Sequence, residues 1–137
     1  MDEADRLLMN SLEMIRSIFD KGHSGMVLIG MPGIEKHIAR FPQFYSRIGF
    51  VHEFRALEGA EITELLNQGW VPAGVTLPNA VLAPDVIASL IRMSGGNFRL
   101  LTRLLTQIER ILKVNNLDTV SKEIVAAARD SLVIGQV

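Results

Sequence analysis

The chain has 137 residues, with 14 Lys+Arg against 15 Asp+Glu for a formal net charge of −1, and 48% apolar residues with no cysteine. This balance excludes a disordered or collagen-like chain, a disulfide scaffold and any site built on thiolates. It also excludes a protein that coats nucleic acid through bulk charge, so any such contact has to come from a local patch.

The start, Met1-Asp-Glu-Ala-Asp-Arg6, is acidic and unlike a signal peptide. No apolar run approaches the roughly 20 residues of a bilayer crossing, and a soluble, cytoplasmic protein without membrane contact is expected. Leu8, Leu12, Ile15 and Phe19 fall at helical spacing and predict an amphipathic helix over Asp5–Phe19, stopped by Lys21-Gly22. Met26-Val-Leu-Ile-Gly30 is a short apolar run between glycines, which predicts a strand buried on both faces. A short helix is expected over Ile34–Arg40, ending before Pro42. Phe50–Leu57 alternates in polarity and predicts a second strand.

A helix over Gly59–Gln68 and a Gly/Pro-rich loop over Gly69–Pro78, with the single Trp70, come next. Three helices then follow. The first, Pro84–Met93, starts on a first-turn proline and stops at Gly95-Gly96. The second, Phe98–Val114, is capped by Asn97 and carries Leu101, Leu104, Leu105, Ile108 and Leu112 on one face. The third is capped by Ser121, with Glu123 in its first turn. Two short strands cannot by themselves make a covered parallel sheet. Either a second chain completes it or this chain is the rear part of a larger domain.

The chemistry-bearing candidates are few. Asp2 and Glu3 stand directly before a helix, where an acidic pair can hold Mg²⁺ through water and orient an attacking water; an acidic first turn also suits a helix dipole by itself. Arg40 and Arg47 lie between the two expected strands, each a candidate arginine finger or a plain surface residue. Gly95-Gly-Asn-Phe-Arg99 places a cation in the first turn of a helix, where the dipole disfavours it, so an anionic partner is worth proposing. His23, His37 and His52 have no metal-ligand spacing, and no GxxxxGK[ST] phosphate loop occurs in the sequence.

Three stretches in order, Asp2-Glu-Ala-Asp5, Met26-Val-Leu-Ile-Gly-Met-Pro-Gly33 and Gly95-Gly-Asn-Phe-Arg-Leu-Leu-Thr-Arg103, resemble the rear half of an AAA+ ATPase module. The subgroup they resemble is the TniB/ExeA-like set, which includes ATP-dependent target-selecting subunits that work with DNA transposases. The resemblance implies an α/β fold: a partial AAA+ core over residues 1–78, followed by an all-helical lid over 79–137. It implies that Asp2 is the metal-side and cofactor-binding aspartate, Glu3 the catalytic glutamate, Arg47 a finger acting on a neighbouring subunit and Arg99 the lid's phosphate-contacting sensor 2. Met31 takes the place of a usually polar sensor 1 residue, and its thioether cannot serve that role.

ATP and Mg²⁺ are the implied cofactors of the intact protein, with other copies of the chain, double-stranded DNA and a transposase as partners. The phosphate loop and first strands would lie upstream of Met1. The chain alone is accordingly expected to hold nucleotide weakly and not to hydrolyse it, and its open sheet edge to favour self-association. Two other readings stand beside this one. In the first, Pro84–Val137, with seven Lys/Arg against five Asp/Glu, is a non-enzymatic DNA- or protein-binding helical module. In the second, the protein is a secretion-type ATPase like ExeA.

Overall fold

A computed structural model describes residues 1–78 and 81–132. Residues 79–80 and 133–137, at the two ends of the expected lid, lie outside the described residues. The chain forms two compact units, Met1–Phe54 and Arg55–Val137.

In the first unit a single 3₁₀ turn, Ala4–Arg6, precedes α1 (Met9–Asp20), α2 (Ile34–Ile38) and α3 (Pro42–Tyr45). The small core consists of Leu12 and Ile15 from α1, Ile38 from α2 and Phe44 from α3, with Leu7, Leu28, Ile34, Phe41 and Ile48 packed around it. The expected helix over Asp5–Phe19 forms, but its regular part begins only at Met9, because Leu7 and Leu8 are extended. Helix α3 begins at Pro42, the residue expected only to end the preceding helix; proline's fixed φ and missing N–H suit the first position of a new helix.

The α/β class with a parallel sheet is not what the chain adopts: among the described residues there is no strand, and every regular element is a helix. Met26–Gly30 is extended but has only the chain start for a neighbour. The Met1 nitrogen donates to the Val27 carbonyl at 2.7 Å, Ile29 N–H to the Met1 carbonyl at 2.8 Å, and Ala4 N–H to the Ile29 carbonyl at 2.8 Å. Glu3, in the left-handed region at φ 54°, then turns the chain into the 3₁₀ turn, and the ladder stops there. The expected burial on both faces fails as well, since Val27 and Ile29 are 69% and 54% exposed.

Phe50–Leu57 keeps the alternation read from its sequence but has no partner strand among the described residues. The rings of Phe50 and His52 stack at 6.2 Å and those of His52 and Phe54 meet edge-on at 4.6 Å, as side chains two apart on extended backbone do. Alternation shows that a backbone can be extended; a strand also needs a neighbour to receive its N–H and C=O groups.

The second unit is a helical bundle of α4 (Gly59–Asn67), α5 (Pro84–Ser94), α6 (Phe98–Asn115) and α7 (Lys122–Ser131). Ile62 and Leu66 of α4, Val86, Ile87 and Leu90 of α5, Leu101, Leu104, Leu105, Ile108 and Leu112 of α6, and Ile124, Val125 and Ala128 of α7 form one core. The helix boundaries follow the sequence signals. Asn97 Oδ1 accepts from Leu100 N–H at 3.0 Å, Ser121 Oγ from Ile124 N–H at 3.4 Å, and Glu58 and Glu61 close a capping box on α4.

Between α5 and α6, Gly95 and Gly96 both have positive φ, 56° and 82°. Gly96 accepts from Leu57 N–H at 2.9 Å, and a Cβ on Gly96 would drive into the Leu57 carbonyl. The connection that presents Arg99 is therefore fixed by two glycines and an asparagine.

Candidate functional site

In the first unit the fold brings the acidic start of the chain against the Met31-Pro32-Gly33 turn. The backbone bonds from Met1 and Ala4 to Val27 and Ile29 set the register. Asp5, to which the sequence had assigned no role, then closes the arrangement by accepting from Met31 N–H at 3.1 Å. A Cβ on Gly30 would lie 2.8 Å from Asp5 Oδ1 and 2.6 Å from Ile34 Cδ1, so the Asp5 carboxylate that makes this bond would have to shift. The backbone around Asp2 and Glu3 is thus held from both sides while their carboxylates face solvent. Asp2 Oδ1 accepts from Glu3 N–H at 2.8 Å, and Glu3 pairs with Arg6 at 3.1 Å across an exposed surface. Met31 lies in the same place, 67% exposed and with no polar side-chain group to offer.

Arg47 is in the same unit, just beyond α3, and is already fully engaged. Its Nε and Nη2 each donate to Asp20 at 2.9 Å, a two-point pair, and Nη1 donates to the Gln43 carbonyl and to Ser46 Oγ. Arg16 joins from α1, bonded to Glu13 and Asp20, so two guanidiniums and two carboxylates form one network. The Arg47 hydrogen bonds hold the Asp20 carboxyl below its ordinary range and raise the Arg47 guanidinium in turn. Arg40 is exposed, and among the described residues it is in no ion pair. That Arg47 and Asp20 meet is not legible in the residue pattern, since 27 positions separate them and the approach of α1 to α3 decides it.

Arg99 is in the second unit, exposed in the first turn of α6 beside the Asn97 cap. No carboxylate pairs with it among the described residues. The N–H groups of the first helical turn and this guanidinium form an anion-attracting end. Sequence reasoning missed Glu109, a nearly buried carboxylate on α6. It accepts from Thr76 N–H and from Lys113 Nζ, both at 2.7 Å, and both bonds lower its proton affinity; it ties the Gly/Pro-rich loop to the bundle.

Could these groups hold a cofactor? Among the described residues no three His, Cys, Asp or Glu side chains are placed to hold a metal ion by themselves. Mg²⁺ bound with a nucleotide does not need such a cage: it keeps several waters and takes one or two carboxylates beside the phosphate oxygens. In the first unit, Asp2, solvent-facing on a held backbone, fits that limited part; in the second, taken by itself, Arg99 has the charge that suits a phosphate oxygen.

With the geometry in view, a similarity becomes informative. The chain is 47% identical over 136 residues, 98% of its own length, to a Staphylococcus aureus protein named "Potential ATP-binding protein". The chain spans about half the length of this curated relative, 50% of it. No family model matches the chain, and no solved structure matches it. No helix among the described residues is long and apolar enough to cross a membrane.

Proposed function

We propose that this chain contributes to an ATP-binding protein. The observation that carries the reading is the 47% identity along nearly the whole chain to a protein named for ATP binding. The solvent-facing Asp2 and Glu3 beside the Met31–Gly33 turn support it, as does the unpaired Arg99 at the start of α6. In this role Asp2 would help hold Mg²⁺, Glu3 would serve as a proton acceptor toward water, and Arg99 would offer its charge to phosphate. When bound, ATP supplies the scissile phosphoryl group and Mg²⁺ supplies neutralising charge. The chain's own residues supply orientation and a proton acceptor. Arg47 takes part as a finger toward a neighbouring copy only by exchanging Asp20 for phosphate.

The finer reading makes the intact protein an AAA+ subunit that resembles the ATP-dependent target-selecting partners of DNA transposases, with further copies of itself, DNA and a transposase as partners. It rests on the Asp2–Asp5, Met26–Gly33 and Gly95–Arg103 motifs and takes no support from a sheet.

Binding of a fluorescent ATP analogue, followed by anisotropy, tests the proposal. The expected result is weak, Mg²⁺-dependent binding in the millimolar range that unlabelled ATP competes away, because the sequence has no phosphate-cradling loop. D2N and R99A each weaken it about tenfold, the loss of one charge-assisted contact. Binding that ignores Mg²⁺ and both substitutions overturns the assignment. Steady ATP turnover by the chain alone contradicts the expectation that nucleotide is bound without being hydrolysed.

A further inference from the structure

Among the described residues only Glu3 and Asn116 have positive φ without being glycine, and asparagine tolerates that region far better than glutamate. A left-handed glutamate persists only where the chain on both sides of it is held. Before Glu3, the Met1 nitrogen donates to the Val27 carbonyl and the Met1 carbonyl accepts from Ile29 N–H. After it, Ala4 N–H donates to the Ile29 carbonyl, and the Asp5 carboxylate accepts from Met31 N–H. Of these ties only the last is made by a side chain. The Met31 carbonyl in turn accepts from Ile34 N–H at 3.1 Å, so the Asp5 bond links the acidic start to the first turn of α2. The core of the unit comes from other residues, Leu12, Ile15, Ile38 and Phe44.

We propose that Asp5 is a positioning residue for the acidic pair: by accepting from Met31 N–H it fixes the backbone on which Asp2 and Glu3 offer their carboxylates to Mg²⁺. The proposal rests on the ATP reading and adds to it a residue that touches neither metal nor nucleotide. Asp5 acts here as an acceptor and not as a charge, and two substitutions separate these roles. D5N keeps an oxygen where Asp5 Oδ1 stands and removes the charge. G30A keeps the charge and disturbs the bond, because its Cβ would lie 2.8 Å from Asp5 Oδ1; the far end of the Ile34 side chain has to give way as well. A residue that held Mg²⁺ itself, or drew it by charge, would fail as badly in D5N as in D5A.

The test is the ¹H–¹⁵N spectrum of the full chain and of D5A, D5N and G30A, read in two steps. Without ligand, solvent exchange of Met31 N–H is expected to be several-fold faster in D5A and G30A than in the parent and D5N. With Mg·ATP, the dissociation constant read at the Asp2 and Glu3 amides is expected to rise about tenfold in D5A and G30A, the loss typical of a group that orients a metal ligand, and to change less than about twofold in D5N. The Leu12 and Ile15 cross-peaks are expected to stay in place in all three variants. The proposal is overturned if Met31 exchanges equally fast in the parent and D5A, or if D5N loses as much affinity as D5A. Loss of the Leu12 and Ile15 cross-peaks in D5A overturns it too, since Asp5 would then support the whole unit. A parent that gives no Mg·ATP response sinks the ATP reading and this proposal with it; a responsive parent with an equally responsive D5A sinks the proposal alone.

Discussion

Asp20 is the most heavily engaged carboxylate of the first unit, receiving two nitrogens of Arg47 and one of Arg16. Its folded-state proton affinity is lowered, so its contribution to stability is present in full above the ordinary carboxylate range near 3.9 and fades as pH falls through the lower folded value. The melting temperature of the parent is therefore expected to exceed that of D20N by a constant margin from about pH 7 to about pH 5, with the margin shrinking below about pH 4. Thermal melts at stepped pH check this, and a margin that grows in acid contradicts it. Arg47 also shows how far a site residue is legible in sequence. Its type and position suggest a finger, but its occupation by Asp20 depends on how α1 and α3 pack. Arg99 was legible as a candidate because the Asn97 cap and the glycine pair, which are local, set its surroundings; Asp2 and Glu3 were legible only as an acidic motif, since the backbone that carries them is held by Val27 and Ile29. Asp5 on Met31 N–H was not, because that contact joins residues 26 positions apart.

At the scale of elements, α1 of the first unit begins four residues later than expected and α3 was not foreseen, whereas the helices of the second unit were readable almost to the residue. Their signals, such as the Asn97 and Ser121 caps, Pro84 in a first turn and the glycine pair after α5, act within one turn of chain. The two expected strands were not, because an apolar run and an alternating run state only that the backbone is extended. The partner that would make them strands is absent from the described residues. The α5–α6 connection gives an element-scale prediction. G96A is expected to destabilise the bundle more than N97A, which costs about 1 kcal/mol for its lost cap. Alanine at 96 combines a left-handed backbone with a collision at the Leu57 carbonyl. Urea unfolding of the two variants gives the order, and G96A milder than N97A would show that the connection can relax.

For the molecule as a whole, the buried bundle core and the exposed apolar side chains lie in different segments. The bundle core is centred on α6, where Leu101, Leu104, Leu105 and Ile108 have no solvent exposure. L104A is expected to cost about 2–5 kcal/mol through lost transfer energy and a cavity. Trp70, the single tryptophan, packs beside Phe98 at 5.1 Å between ring centres, so its fluorescence follows unfolding of this unit. In the first unit Val27 and Ile29 are exposed in an extended stretch, with Met31 exposed in the turn after it, and Phe50 and Phe54 are exposed as well. Exposed extended apolar backbone favours self-association. Sedimentation velocity is expected to show a mass that rises with concentration, and I29K is expected to reduce it.

The central proposal is that the acidic start with the turn beside it in the first unit, and independently the first turn of α6 in the second, each respond to Mg²⁺ and ATP. A ¹H–¹⁵N correlation spectrum of the chain, titrated with Mg·ATP into the millimolar range, tests this at the residues themselves. The account predicts saturable shifts at Asp2–Asp5, at Met31 and Gly33, and around Arg99, with the bundle-core amides of Leu104, Leu105 and Ile108 unmoved. A spectrum that Mg·ATP leaves unchanged, or shifts spread evenly over surface lysines and arginines, would contradict it.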